Sequence, residues 1–455
     1  MANENVDVMR GEPKVAIRKL AWPIIISMLL TASYNIIDGI WVAGLGEMAI
    51  AAIGFVTPVY MILNGVSVGL SVGANSLISR YVGADNKHNV DSAASHSLLI
   101  FLIASVVLTV VLLVFQGNIL SIYGASGETL DLGIQYGSVL FAGLVTFMLA
   151  NGCSGILRGE GDMKRALIAV VASVCLNAVL DPLFIYVFGL GVRGAAFATV
   201  FSSLCSAVVI LYWLLVKRDT YCDISFKGFR FDKGLVRKIL GVGIPASLEL
   251  CVLSVSIACF LGIITSIAGN MGVAAYSSGI RLYLIAIMPL SGLASAIVAV
   301  TGANYGGAKG DGISEAHMYG TKLGMILGLC MCVIFLLFSN QLALIFAYTA
   351  STVHLVPYIS GFLQVIGLSF PFIAMATAAG GFYQGVGRGA SSLFLIILRE
   401  IICTVPLTYL FGISLGWGLI GVWIGLSLGR ALAGLLAFIF SRVSIGKLSK
   451  KLSAL

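Results

Sequence analysis

The chain carries twelve apolar runs, near residues 16–44, 53–81, 92–115, 130–156, 166–188, 194–216, 238–268, 274–304, 315–338, 355–383, 391–411 and 419–441. Each can cross the hydrocarbon core of a bilayer, about 30 Å thick, which takes about 20 helical residues. A backbone in lipid must satisfy its own hydrogen bonds, so only helices and closed barrels can span. Barrel strands alternate polar and apolar residues over about 10 positions. These runs do not alternate, so the fold class predicted is an all-α polytopic membrane protein with twelve transmembrane helices. Composition agrees: 59% of residues are hydrophobic and only 10% are charged, against about 25% charged in soluble domains. That excludes an ordinary soluble protein and a disordered chain.

The basic residues orient the spans. Of 27 Lys and Arg, 24 fall at the ends and loops of one side, from Arg10, Lys14, Arg18 and Lys19 to Arg442, Lys447, Lys450 and Lys451. The other side holds Arg193, while Arg281 and Arg430 lie within runs. By the positive-inside rule the rich side is cytoplasmic. The expectation is a multi-pass protein of the plasma membrane with both termini cytoplasmic. The polar start and long first run do not resemble a cleavable signal. The same distribution accounts for the net charge of +8 without a nucleic-acid partner. Nine cysteines form no CxxC pair and no zinc-ligand spacing with His, and read as small apolar packing residues.

The two halves repeat. Sequence after Pro23 echoes sequence after Pro245. "SRYVGADNKHNVDSAASHS" (79–97) echoes "GANYGGAKGDGISEAHMYG" (302–320), and "GILRGEGDMKRAL" echoes "GFYQGVGRGASSL". "DPLFIYVFGLGVRGAAFAT" pairs with "VPLTYLFGISLGWGLIGVW". Six spans separate the copies, so the repeats run parallel, as in transporters that rock two bundles about a central cavity. The expected division is an N-lobe over 1–216, a cytoplasmic linker loop over 217–237 and a C-lobe over 238–455.

Carboxylates inside spans are expensive, and by default they mark function. Asp38 lies about 17 residues beyond Ala21, roughly 26 Å along a helix. Asp181 lies about 15 residues beyond Ala166, roughly 22 Å. Both reach the outer half of the membrane. Asn177 precedes Asp181 by four residues, on the same helix face. Pro182 has no N–H and leaves the carbonyl of Ala178 free. Thr199 follows at compatible depth on the sixth span. In the second half Phe260, Ile401 and Val405 stand opposite Asp38, Asn177 and Asp181, so the polarity occurs once. A carboxylate pair with an amide, a hydroxyl and a freed carbonyl suits a proton or a hard cation, which prefers oxygen ligands. The alternative is two acids neutralised within helix contacts.

At these residues the chain resembles the multidrug and toxic compound extrusion (MATE) family, specifically its DinF-like archaeal and bacterial branch. The motifs are "YNIIDGIWVAGLG", "GILRGEGD", "LNAVLDPLFIY" and "GVRGAAFAT", and the likeness runs over nearly the whole chain. It implies two pseudo-symmetric six-helix bundles in a V that open alternately inward and outward. It also implies a secondary active antiporter, not an enzyme, that exports amphipathic organic cations or drugs in exchange for Na+ or H+. The coupling-cation residues implied are Asp38, Asn177, Asp181, Thr199 and Ala195; the first four would also hold Na+ if sodium is coupled. Tyr34, Asn151, Ser154, Met28 and Met61 are cavity candidates, and Pro23, Gly39 and Pro182 are candidate hinges. Ser154 stands where relatives are expected to carry an amide. No cofactor beyond the coupling ion is implied, and the expected surroundings are membrane lipid with the chain as a monomer.

Other charges carry weaker expectations. Glu249 reads as one member of an interfacial ion pair. Arg399, Glu400 and Arg430 read as residues near cytoplasmic helix ends. Arg281 could orient cations, pair with a neighbour or snorkel. His88, His96, His317 and His354 read as surface or capping histidines. "GLGVRG" (189–194) fits a dinucleotide fingerprint but lacks the flanking strand and the acid about 20 residues on, so it reads as a tight outer turn. There is no P-loop. A lipid or lipid-linked oligosaccharide flippase of the wider superfamily is the alternative function. An intramembrane aspartyl protease is a distant one, since "GEGD" (159–162) fits GxGD but sits in a charged turn.

Overall fold

The computed structural model describes residues 2–347 and 352–454. All twelve runs are helical. A short helix α1 (Ala2–Arg10) leads to α2 (Pro13–Ala43), α3 (Glu47–Gly83) and α4 (Lys87–Ile122). Next come α5 (Gly127–Ala142) and α6 (Leu144–Gly159), then α7 (Met163–Pro182) and α8 (Gly191–Leu211). The second half holds α9 (Lys233–Gly306), α10 (Gly310–Leu337), the short α11 (Ser339–Leu344), α12 (Val356–Gly367) and α13 (Phe370–Gly385). It ends with α14 (Gly389–Ile397), α15 (Val405–Tyr409) and α16 (Gly418–Leu452).

Among the described residues nine helices are long and apolar enough to cross a membrane, and two bent pairs raise the number to eleven. The 74-residue α9 cannot be one span, because 74 residues of helix run about 110 Å. It breaks at Gly269, whose φ of 55° and ψ of −145° leave the helical region, a conformation open to glycine. Counting α9 as two helices gives the twelve spans.

The halves correspond span by span, though not in every element. The fourth span of each half is broken: α5 and α6 meet at 45°, and the corresponding later pair bends by 52°. The fifth span of each half ends in π-helical turns, Leu183–Val187 and Leu410–Ser414. In the first half the cause is local, because Pro182 withdraws an N–H from the ladder.

Two compact units emerge from the packing. One comprises Met1–Gly11 with Ile26–Ser247, the other Glu12–Ile25 with Leu248–Leu455. These bounds differ from a simple division into sequence halves. The start of α2 packs in the second unit, the start of α9 in the first, and each helix changes unit two residues after its repeat's proline, Pro23 or Pro245. The loop between the halves also belongs to the first unit.

In the first unit α3 and the start of α9 approach to backbone contact. A Cβ on Gly73 would lie 2.4 Å from the carbonyl oxygen of Ile239, and one on Gly69 would lie 2.6 Å from that of Gly243. Small residues permit such approach where lipid gives helices no hydrophobic drive to associate. Of the 189–194 segment only Gly189 and Leu190 lie outside helix, with positive φ at Gly189, and Gly191–Gly194 open α8, where Gly191 also has positive φ.

Two histidines are not superficial, contrary to the sequence expectation. His88 and His354 are exposed, but His96 and His317 are fully buried. His96 accepts a hydrogen bond at Nε2 from the Asp232 N–H (2.8 Å), and its Nδ1 lies 2.7 Å from the Ser92 carbonyl oxygen. It thus pins the linker to α4. Glu160 does the same elsewhere, accepting the Cys222 N–H at 2.7 Å. Burial raises its carboxyl from 4.5 to about 7 and pushes the Cys222 thiol up.

The second unit's core is aromatic, with Phe260, Tyr276, Tyr283, Phe362, Phe370 and Trp423 all buried. Arg399, Glu400 and Arg430 lie inside it rather than near helix ends. Arg399 Nε is 2.8 Å from Glu400 Oε1, and Arg430 Nη2 is 3.7 Å from Oε2. Arg430 also covers the Tyr283 ring at 4.5 Å. Glu249, by contrast, forms no ion pair among the described residues: it accepts from Ser392 Oγ (2.7 Å) and Gln384 Nε2 (3.1 Å). Arg281 is exposed.

Candidate functional site

The polar centre of the first unit forms where α2, α7 and α8 meet. Asp181 is fully buried and Asn177 is 1% exposed. They share one face of α7 because four residues make about one helical turn. Asp38, half-buried on α2, faces Asp181 at electrostatic range. Among the described residues both carboxylate oxygens of Asp181 and both polar atoms of the Asn177 side chain are buried with no hydrogen-bonding partner. Such groups are rare in folded chains, since an unsatisfied buried polar atom costs about 1–3 kcal/mol.

The neighbouring helices complete the wall. Tyr34 on α2 reaches Thr199 on α8, with 3.4 Å between hydroxyl oxygens. Thr199 donates to the carbonyl of Ala195 at 3.1 Å. Ala195 is itself buried beside Val42, Ile185 and Tyr136. The outer ends are tied by Tyr186, whose hydroxyl donates to the Trp41 carbonyl at 2.6 Å. Close contact of the fifth and sixth spans is allowed by Gly194, where a Cβ would lie 2.6 Å from the Phe184 carbonyl oxygen.

The fold thus gathers Asp38, Asn177, Asp181, Tyr34, Thr199 and Ala195. Two groups that the sequence reading missed join them. Tyr60 on α3 and Tyr136 on α5 both lie within electrostatic reach of Asp38, and Tyr136 also of Asp181. Their signal was weak, because tyrosines are scattered through the spans. The remaining candidates stand apart from the carboxylates in their bonding. Asn151 Nδ2 donates to the Phe147 carbonyl (3.1 Å) and Ser154 Oγ to that of Ala150 (2.8 Å), each within α6. Met28 is half-buried and Met61 exposed. Pro23 lies two residues before α2 changes unit. A Cβ on Gly39 would meet nothing within 4 Å.

The pseudo-equivalent positions in the second unit are apolar. Phe260, opposite Asp38, is a fully buried core residue, and Val405, opposite Asp181, packs against the same core. At these aligned positions the carboxylates occur in the first half alone.

The MatE family matches residues 23–183 and 245–410, one match per repeat. The multidrug export protein MepA of Staphylococcus aureus is 27% identical over 432 residues, covering 93% of this chain and 92% of its own. A solved outward-facing multidrug resistance MATE family transporter of the MOP superfamily is 37% identical, with a TM-score of 0.95 over 98% of this chain and 99% of that one. Another solved relative, with the same identity and TM-score and 98% coverage of both chains, is a MOP superfamily transporter from Pyrococcus furiosus. Its reverse binding-pocket polarity is described as suggesting a different function. The present chain belongs to the MatE family of multidrug and toxic compound extrusion transporters.

Proposed function

We propose that this chain is a secondary active antiporter that exports amphipathic organic cations in exchange for Na+ or H+ by alternating access. It would act in the plasma membrane with both termini cytoplasmic. The observation that carries this reading is the buried, unpartnered pair Asn177 and Asp181 facing Asp38. Adjacent ionised carboxylates repel by several kcal/mol in a protein-like dielectric. A single monovalent cation shared between them relieves that repulsion. A proton does so by converting one carboxylate into a donor, and Na+ does so by taking oxygens from Asp38, Asp181, Asn177 and Thr199. The chain's own part is to hold these oxygens out of bulk water and to link them to α2.

Coupling follows from α2. Asp38 sits on the segment of α2 that packs in the first unit, and Pro23 on the segment that packs in the second. Cation occupancy at Asp38 favours one position of α2, and organic-cation occupancy favours another. Pro23, Gly39 and Pro182 are the points at which the helices can bend. A ligand shifts such an equilibrium only by its differential affinity for the two states.

Equilibrium binding tests the proposal. A fluorescent organic cation bound to purified wild type is displaced by Na+ or by acid. Asp38→Asn and Asp181→Asn lose that displacement while remaining folded. Displacement unchanged in both variants would remove the carboxylates from the coupling site. Scrambling of labelled lipid without a cation gradient would instead support lipid flipping.

A further inference from the structure

A second polar feature lies wholly within the second unit. It is a cleft of about 430 Å³ lined by residues of α2, α10 and α16, including Lys14, Asp311, Glu315, Tyr319, Lys322 and Arg442. Lys14 is paired with Glu315 at 2.8 Å. Lys322 and Arg442 have no carboxylate partner among the described residues, and Arg442 donates only to the neutral Ser314 hydroxyl at 2.9 Å. Three cations against two carboxylates leave the cleft with a net charge of +1.

The surface leading away from these two cations is apolar on both helices. Along α10, Lys322 is followed at helical spacing by Ile326, Leu329 and Val333, exposed by 60%, 57% and 45%. Along α16, running back from Arg442, come Ile439, Leu435, Leu432 and Leu428, each more than 40% exposed. Helices α10 and α16 pack against each other. Each of these two packed helices thus carries an exposed apolar stripe that begins at its cation. By the positive-inside rule that end is cytoplasmic.

We propose that this cleft holds the phosphodiester headgroup of an anionic phospholipid of the phosphatidylglycerol class, with its acyl chains lying along the two stripes. The net charge of +1 complements a phosphodiester monoanion. Asp311, at the cleft and unpaired, disfavours a dianionic phosphate. Basic pockets at the cytoplasmic ends of spans are established binding places for anionic headgroups, and the stripes distinguish a lipid from a soluble anion.

Native mass spectrometry of the full-length chain in detergent tests this, with phosphatidylglycerol, phosphatidylcholine and inorganic phosphate as probes. Wild type retains phosphatidylglycerol in preference to phosphatidylcholine, and millimolar phosphate does not displace it. Each cation lost weakens retention about fivefold, so Lys322→Gln/Arg442→Gln loses about 25-fold. Lys322→Arg/Arg442→Lys keeps it, as does Lys447→Gln/Lys450→Gln, which removes exposed charges outside the cleft. If the double variant fails to fold, the exposed Lys322→Gln alone gives the fivefold reading. Equal retention of the two lipids, retention unaffected by the cleft variants, or equal loss on removing Lys447 and Lys450 would each overturn the proposal. Displacement by phosphate would overturn the lipid assignment in favour of a soluble anion.

Discussion

The buried cluster of Arg399, Glu400 and Arg430 predicts an unequal response to removing its members. Glu400 is fully buried between two cations, at 2.8 Å from Arg399 and 3.7 Å from Arg430. At an effective dielectric of 20, a charge pair near 4 Å is worth about 4 kcal/mol. Arg430→Met leaves Glu400 with its shorter partner, so the loss is at the low end of the range for breaking a buried pair, about 3 kcal/mol. Glu400→Gln leaves two buried guanidinium groups, one of them only 1% exposed, and costs about 5 kcal/mol. In the double variant the Arg430 penalty disappears, so the combined loss falls below the sum by about 2 kcal/mol. Fluorescence-monitored thermal unfolding in detergent should give midpoints in the order wild type, Arg430→Met, Glu400→Gln, double variant, with the double variant losing about 6 kcal/mol rather than the summed value of about 8. A double-variant loss equal to the sum of the two singles, or an Arg430→Met midpoint equal to wild type, would refute the assignment of these charges to one electrostatic unit.

Glu160 carries a pH prediction. Its folded-state value of about 7 lies above the ordinary 4.5, so the folded chain holds this proton more tightly than the unfolded one. The stabilisation is fully present below about pH 4.5 and is lost as pH rises through about 7, amounting to about 3 kcal/mol. Glu160→Gln removes this component, which is read as the difference between wild-type and variant unfolding midpoints from pH 5 to 8; a constant difference would contradict it. Gly73→Val pushes a side chain against the Ile239 carbonyl and should destabilise by about 1–3 kcal/mol. Gly54→Ala, with nothing within 4 Å of the added Cβ, should be neutral or stabilising in the same unfolding assay.

Much of this molecule was legible in its sequence because lipid imposes strong constraints. Helix length is set by bilayer thickness, so twelve apolar runs became twelve spans. The pairing of Asp38 with Asp181 was legible because both acids could be placed at one depth by counting helical rise. Depth does not reveal which side of a helix faces inward in an all-apolar span, so Tyr60 and Tyr136 were missed. The same limit misplaced Arg399, Glu400 and Arg430. Thirty residues separate Glu400 from Arg430, and only the packing of α16 against the π-helical Leu398–Thr404 brings them together. His96 and His317 also looked peripheral by position, yet aromatic neighbours and the linker cover them. The change of packing unit after Pro23 and Pro245 was invisible, because a helix crossing between units carries no composition change at the crossing.

The central claim is that the carboxylates of the first unit couple a cation gradient to export. Its most direct test is efflux of a fluorescent organic cation in inverted membrane vesicles under a sodium or a proton gradient imposed separately. The account predicts gradient-driven transport by wild type under at least one of the two, abolished in folded, inserted Asp38→Asn and Asp181→Asn. Transport by both variants at the wild-type rate would contradict it.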